Sequence, residues 1–135
     1  MALVSVTRLR LRAPEFADAF FGAAIAAFEQ AQGSAGHLGG DVLADAENVY
    51  WTKTAWQGRE QMRAFVRAQP HLETMGRLGE WCDEATFVDW EQNSGGLPDW
   101  RLSYDRLVAG GQVAKLPHPS AAHEARDFPP PQPAP

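Results

Sequence analysis

The sequence predicts an α+β domain made of two consecutive strand–helix–strand halves. Three observations support this prediction. Alternating apolar residues mark short strands, apolar stripes at helical spacing lie between them, and glycine or proline separates the elements. The halves occupy about residues 3–46 and 48–90 and are nearly equal in length. Right-handed crossovers would place both helices on one face of a four-stranded antiparallel sheet, which is the ferredoxin-like βαββαβ fold.

The first half opens with LVSVTRLRL at 3–11, a strand whose side chains alternate between two faces. Pro14 suits the first turn of a helix, and apolar side chains then recur at helical spacing until Gly33 ends it. A second strand is predicted over 41–46. The preceding Gly39-Gly40 pair is read as a bulge or turn.

The second half contains NVYWTKTAW at 48–56, whose aromatic and β-branched residues make it the clearest strand of the chain. Helical patterns follow at 58–69 and 71–82, and Pro70 stops or kinks the first of them. A fourth strand is predicted for 84–90. Together these elements form a ferredoxin-like domain over residues 1–91.

Residues 92–116 are predicted to form a linker and a short amphipathic helix that ends at Gly110-Gly111. Residues 117–135 hold seven of the ten prolines and are predicted to be an extended, Pro-rich tail. The sheet face away from the two crossover helices also carries apolar residues. An apolar face needs a cover, so the pattern predicts a homodimer formed through the sheet.

Composition limits the classes of partner. The formal net charge of −5 disfavours both nucleic acid and an anionic membrane surface, since each attracts basic proteins. No apolar run is long enough to span a bilayer, and the N-terminus lacks the apolar core of a signal peptide. The only cysteine, Cys82, cannot form an internal disulfide, which fits a cytoplasmic protein.

His71 is the strongest candidate for chemistry, because it shares a helical stripe with Met75 and Leu78. At the mouth of an apolar cleft it could act as a general base or bind a haem iron. It could equally be a capping or surface histidine. Apart from His71 as a haem ligand, the sequence predicts no metal site.

Several other residues are candidates for binding a small apolar molecule. Tyr50, Thr52, Thr54 and Trp56 share one face of their strand and mix rings with hydroxyls. The remaining candidates are aromatic or histidine side chains near the predicted cleft, namely Phe65, Trp81 and His37. Each of these could instead belong to an ordinary core or turn.

Arg8, Arg10 and Arg12 recur on one face of the first strand. They could form a basic stripe for an acidic ligand, but pairing with acidic residues across the sheet is the favoured interpretation.

Several strings support a resemblance to a known family. They are Tyr50-Trp51-Thr52, Ala55-Trp56, Met62-Arg63-Ala64-Phe65, Pro70-His71, Trp81-Cys82-Asp83-Glu84-Ala85, Leu38-Gly39-Gly40 and Leu97-Pro98-Asp99-Trp100. Over about residues 3–123 the chain resembles uncharacterised relatives of spheroidene monooxygenase. Those relatives fall in the dimeric α/β-barrel group that includes antibiotic-biosynthesis monooxygenases.

The resemblance implies a homodimer whose two sheets form a barrel, with a cleft between each sheet and its helices. It implies that His71 is the candidate catalytic residue, and that the cofactor is either none or haem. The first function hypothesis is therefore a monooxygenase-like enzyme for an aromatic or polyene substrate. The alternatives are a non-catalytic dimer that binds a small hydrophobic ligand, and an interaction protein that works through its Pro-rich tail.

Overall fold

The computed structural model describes residues 1–132, and the last three residues of the predicted tail lie outside the described part. The chain forms a single antiparallel sheet with helices on both faces. The strands are β1 (Ala2–Leu11), β2 (His37–Ala44), β3 (Val49–Trp56), β4 (Cys82–Gln92) and β5 (Gln112–Val113). The helices are α1 (Ala17–Gln32), α2 (Arg59–Arg67), α3 (His71–Trp81), α4 (Trp100–Gly110) and α5 (Ala121–Ala125).

The strand order β2-β3-β1-β4-β5 contains the ferredoxin-like arrangement in its first four positions, so the predicted βαββαβ unit is confirmed. The predicted count of four strands is wrong, because β5 adds a fifth. This strand pairs with β4 only through Thr86 with Val113 and Phe87 with Gln112. Two residues give too short a pattern for alternation to reveal a strand.

Strand β2 runs from His37 to Ala44 and so includes the glycine pair that precedes Asp41. Alternation is weak at this start, because glycine carries no side chain to show it and is depleted in strands. The pairing with β3 shifts register between His37 and Gly39, which confirms the predicted irregularity at the glycine pair.

Alternation along β1 divides the sheet into two faces. The front face carries Ser5, Thr7 and Leu9 and lies under α1, α2 and α3. The back face carries Val4 and Val6, both fully buried. These two residues belong to a core cluster that also contains Leu107 of α4 and Phe128.

The back face is therefore covered by the chain's own C-terminal segment, residues 97–132. This corrects the expectation of a bare apolar face, on which the sequence argument for a sheet-to-sheet dimer depended. The prediction of an extended tail is also corrected, since α5 forms at 121–125 and Phe128 is only 7% exposed. The homodimer itself stays a prediction.

Ion pairs within the back face are tied to the C-terminal segment by a hydrogen bond from Ser120. Arg8 forms a buried ion pair with Glu84 on the neighbouring strand at 2.7 Å. The Ser120 hydroxyl donates a hydrogen bond to the other oxygen of that carboxylate at 3.0 Å. Arg10 pairs with Asp83 at 2.8 Å. The predicted pairing with acidic side chains is therefore confirmed for Arg8 and Arg10, whereas Arg12 donates a hydrogen bond to the Glu80 backbone carbonyl at 2.8 Å.

His123 also contributes to this attachment. Its Nδ1 accepts a hydrogen bond from the Ala85 backbone N–H, and its Nε2–H donates one to the Ala114 carbonyl at 2.8 Å. Both ring nitrogens of this buried histidine are therefore occupied by backbone groups.

Candidate functional site

A cavity of about 410 Å³ lies between the front face and the three helices α1, α2 and α3. Its size falls in the range of small-molecule sites, roughly 300–1,000 Å³. The cavity reaches the surface near Val42 of β2 and near Asp89 of β4, since both residues line it and both are exposed. A ligand could thus enter without unfolding of the domain.

The floor of the cavity is unusually rich in hydroxyl groups. Ser5 of β1 is directly opposite Thr54 of β3, and Thr7 is opposite Thr52. Side chains in such cross-strand pairs lie about 5 Å apart, so four hydroxyls form a compact polar patch. Thr54 accepts a hydrogen bond from the Trp56 indole N–H at 2.9 Å.

The helices give the opposite wall a different character. That wall consists almost entirely of apolar side chains from α1, α2 and α3, namely Phe20, Ala24, Ala27, Phe28, Ala31, Met62, Phe65, Val66, Met75 and Leu78. A ligand would therefore lie between an apolar wall and a floor that can form hydrogen bonds. This asymmetry suits a flat, mostly apolar molecule with a few oxygen substituents.

A row of four rings passes from the first half of the chain into the cavity. His37 contacts the edge of Trp56 at a centroid distance of 5.3 Å, and Trp56 stacks on Phe65 at 5.0 Å. Phe65 in turn contacts the ring of His71 at 4.6 Å. The aromatic row therefore ends at His71, the candidate catalytic residue.

His71 occupies the first position of α3 and lines the cavity. Its Nδ1 lies 3.1 Å from the Val66 carbonyl, which can only accept a hydrogen bond, so Nδ1 carries the proton. In the neutral ring, Nε2 then holds the free lone pair. Apolar surroundings lower the pKa of His71, although the bond to Val66 acts in the opposite direction. Near neutral pH the ring is a neutral base.

The structure brings together four of the seven predicted site residues. His71, Trp56, Phe65 and Thr52 all line the cavity, together with Thr54. His37 stands behind Trp56 rather than in the wall, and burial lowers the pKa of its imidazole.

Tyr50 and Trp81 also lie outside the cavity wall. Trp81 is 1% exposed and packs against Phe20 in a core cluster with Leu11 and Cys82, while Tyr50 packs on Phe20 and Phe21. The side chain of Cys82 is fully buried there, and burial raises the pKa of its thiol to about 12. These residues shape the core beside the site.

Sequence reasoning missed Ser5, Thr7, Thr74 and Asp89 as lining residues. Ser5 and Thr7 gave a usable signal, because they interrupt the apolar side of β1 on the same face as Leu9. Asp89 gave a weaker signal, because its place opposite Ser5 follows from the pairing of β4 with β1; it also forms an ion pair with Arg59 of α2 at 2.8 Å.

Haem fits this cavity only in part. A histidine whose Nδ1–H is held by a backbone carbonyl is a common axial ligand, and His71 matches that arrangement. However, among the described residues that line the cavity, Asp89 is the only fully charged group and none is lysine or arginine. Arg59, beside the opening, is already paired with Asp89, so the lining offers the two haem propionates no free cation. The residues present therefore do not fit haem, and no reaction step is assigned to it.

Two other absences concern the described residues. Within 1–132, no group of three histidine, cysteine, aspartate or glutamate side chains is placed to hold a metal ion. In the same range, no helix has both the length and the apolar character needed to cross a membrane.

Solved structures share this fold at low sequence identity. A putative antibiotic biosynthesis monooxygenase from Nitrosomonas europaea superposes with a TM-score of 0.61 and 18% identity, covering 68% of this chain and 90% of that one. SnoaB from Streptomyces nogalater, described as a cofactor-independent oxygenase, gives 0.58 and 12%, covering 69% and 94%. Rv0793 from Mycobacterium tuberculosis gives 0.63 and 12%, covering 70% and 97%.

The chain thus has the fold of antibiotic-biosynthesis-monooxygenase-like proteins. No protein-family model matches it, and no curated protein sequence does. The matched share of this chain is about two thirds.

Proposed function

We propose that the protein is a monooxygenase-like enzyme that oxidises a flat, mostly apolar aromatic molecule without a bound cofactor. One observation carries the proposal: His71 lines the cavity with its Nδ1–H held by the Val66 carbonyl, which leaves Nε2 unprotonated in the neutral ring beside an almost entirely apolar helical wall. The fold shared with SnoaB, a cofactor-independent oxygenase by its description, supports this reading. The more specific resemblance to relatives of spheroidene monooxygenase is part of the same proposal.

The reaction would begin with proton transfer from the substrate to His71. A suitable substrate has an acidic CH₂ group next to aromatic rings, and Nε2 would take one of its protons. The resulting carbanion passes electrons to dioxygen, a C–O bond forms, and the imidazolium returns the proton to give a hydroperoxide. Loss of water, with the remaining C–H proton, leaves a carbonyl. The balance is R₂CH₂ + O₂ → R₂C=O + H₂O.

The other cavity residues would orient the substrate. The apolar wall buries the rings, and the hydroxyls of Thr7 and Thr52 can hold an oxygen substituent of the substrate. An aromatic molecule of two or three fused rings suits a cavity of about 410 Å³ better than a long polyene chain does. We therefore favour the aromatic over the polyene class of substrate.

The test uses anthrone as a probe under ¹⁸O₂, with dioxygen uptake and product mass as readouts. We expect one labelled oxygen in the product and a loss of roughly 10²- to 10⁴-fold in turnover for His71→Gln, the usual contribution of a general base. The matched control is His118→Gln, because His118 is exposed and outside the cavity. Unchanged turnover in His71→Gln would refute the assigned base.

One observation favours the non-catalytic alternative: the Nδ1–H of His71 already satisfies a helix-end carbonyl, as a purely structural histidine would. That hypothesis predicts that the probe binds, detected by quenching of tryptophan fluorescence, but consumes no dioxygen. Haem, which the residues present do not fit, has its own test: we expect no Soret band in protein from cells grown with a haem precursor, and a band that His71→Ala removes would contradict this.

A further inference from the structure

The junction between α2 and α3 places two helix ends next to each other. The last carbonyls of α2 and the first N–H groups of α3 have no partners inside their own helices. No side chain at the α3 N-cap, Pro70, satisfies them. Their partners must therefore come from elsewhere in the chain, and one of them comes from a different helix.

Gln30 of α1 bonds to both helix ends. Its Oε1 accepts a hydrogen bond from the His71 backbone N–H at 2.8 Å. Its Nε2 donates hydrogen bonds to the carbonyls of Phe65 at 3.1 Å and Ala68 at 3.3 Å. All the polar atoms of this half-buried amide are thus used on the segment that carries His71.

We propose that Gln30 is a positioning residue that fixes the His71 ring in its working orientation. The backbone of His71 is held directly by Gln30, and its Nδ1 is held by Val66. The next residue before Val66, Phe65, is itself held by Gln30 through its carbonyl. One amide therefore holds the backbone of His71 and the residue next to its Nδ1 partner, and the helix of that amide also supplies a wall of the cavity.

The location of Gln30 makes this role specific. It directly precedes Ala31, which lines the cavity, so a ligand that packs on α1 contacts the same helix turn that holds His71. Gln32, two residues further on, is exposed and provides a matched position on the same helix. The catalytic consequence rests on the proposed function, but the effect on the ring does not.

The variants are Gln30→Met, which keeps the side-chain length and removes all three hydrogen bonds, and Gln32→Met as its control. Nitrogen-15 NMR of the His71 ring, assigned with His71→Gln, reports its tautomer and pKa. Among the described residues lining the cavity, Asp89 is the only other titratable group, and it is paired with Arg59. The titration of His71 therefore mainly reports its own surroundings.

For Gln30→Met we expect a smaller fraction of the Nδ1–H tautomer and a pKa that moves up toward the ordinary value, because the ring gains water. If the wild type converts a substrate, kcat of Gln30→Met should be roughly 10- to 100-fold lower with less change in KM, as for other small misplacements of a catalytic group. Gln32→Met should match the wild type in every readout.

Gln30→Ala removes the same three hydrogen bonds with a smaller, uncharged side chain, and it serves as the main variant if Gln30→Met does not fold. It should shift the tautomer in the same direction. A folded Gln30 variant that loses thermal stability but keeps the wild-type tautomer, pKa and kcat would overturn the proposal and leave a simple helix cap. If the wild type turns over no substrate, the proposed function fails while the NMR comparison still decides the role of Gln30.

Discussion

Filling the cavity should weaken ligand binding without harming the fold, and Ala27→Phe tests this directly. Ala27 lines the cavity from α1, and the neighbouring space of about 410 Å³ can accept a ring. Burying a phenylalanine side chain contributes about 1.5–3 kcal/mol. The lower helix propensity of phenylalanine costs about 0.5 kcal/mol. The free energy of unfolding should therefore rise by about 1–2.5 kcal/mol.

The same ring occupies the volume that a ligand needs, so binding should fall at least tenfold. Thermal unfolding measures the first effect, and quenching of tryptophan fluorescence by an aromatic probe measures the second. Ala19→Phe is the control, because Ala19 is exposed on the same helix and does not line the cavity. It should cost only the helix propensity and leave binding unchanged.

A fall of about 1–3 kcal/mol in the free energy of unfolding of Ala27→Phe, which is the signature of an overfilled core, would refute the open space beside Ala27. Such a loss would mean that the helices have no space for a ring between them and the sheet. If the variant is stabilised but binds the probe as tightly as the wild type, the cavity is not the ligand site. The probe would then occupy another surface.

Four further predictions concern single groups. Turnover should fall as pH drops through the pKa of His71, which burial holds below the ordinary value, and the resulting acid limb in a pH profile should vanish in His71→Gln. Because burial disfavours the charged ring, protonation of His71 also opposes folding. The stability that the neutral ring contributes is complete above the ordinary histidine pKa and is lost as pH falls through the lower pKa of the folded protein. Thr86→Val should raise the free energy of unfolding by about 1 kcal/mol in urea titrations, because the buried Thr86 hydroxyl has no hydrogen-bond partner among the described residues. Thr54→Val should instead lower it by about 1 kcal/mol, since it leaves the Trp56 N–H unpaired. Phe128→Ala should cost about 3 kcal/mol by the same assay, and an equal value for the half-exposed Phe21→Ala would contradict the buried position of Phe128.

Most of the ferredoxin-like unit could be predicted because its signals are local. Periodicity within 3–11 and 48–56 is enough to identify β1 and β3, and a proline marks the boundary between α2 and α3. The predicted grouping of Thr52 with Trp56 also follows from alternation alone. Such features depend on residues that are neighbours in the chain.

The rest of the site depends on contacts between distant residues. Gln30 and His71 are 41 positions apart, and nothing in either local pattern links them. Trp81 shares a helical stripe with residues that line the cavity, but it packs into the core next to Phe20. Periodicity identifies which residues are buried. It does not decide whether they face a cavity or another side chain.

The C-terminal segment shows the same limit of prediction from sequence, and its position restricts the surface that a homodimer can use. A proline-rich composition favours an extended chain, but it does not exclude that a single phenylalanine docks onto a sheet. Here Phe128 covers the Arg8 guanidinium at 5.4 Å, and Ser120 completes the hydrogen bonding of Glu84. A second sheet on the back face would have to displace both contacts and leave a buried ion pair with fewer partners, which is costly. A homodimer that keeps its C-terminal segment in place must therefore use a surface other than the back face.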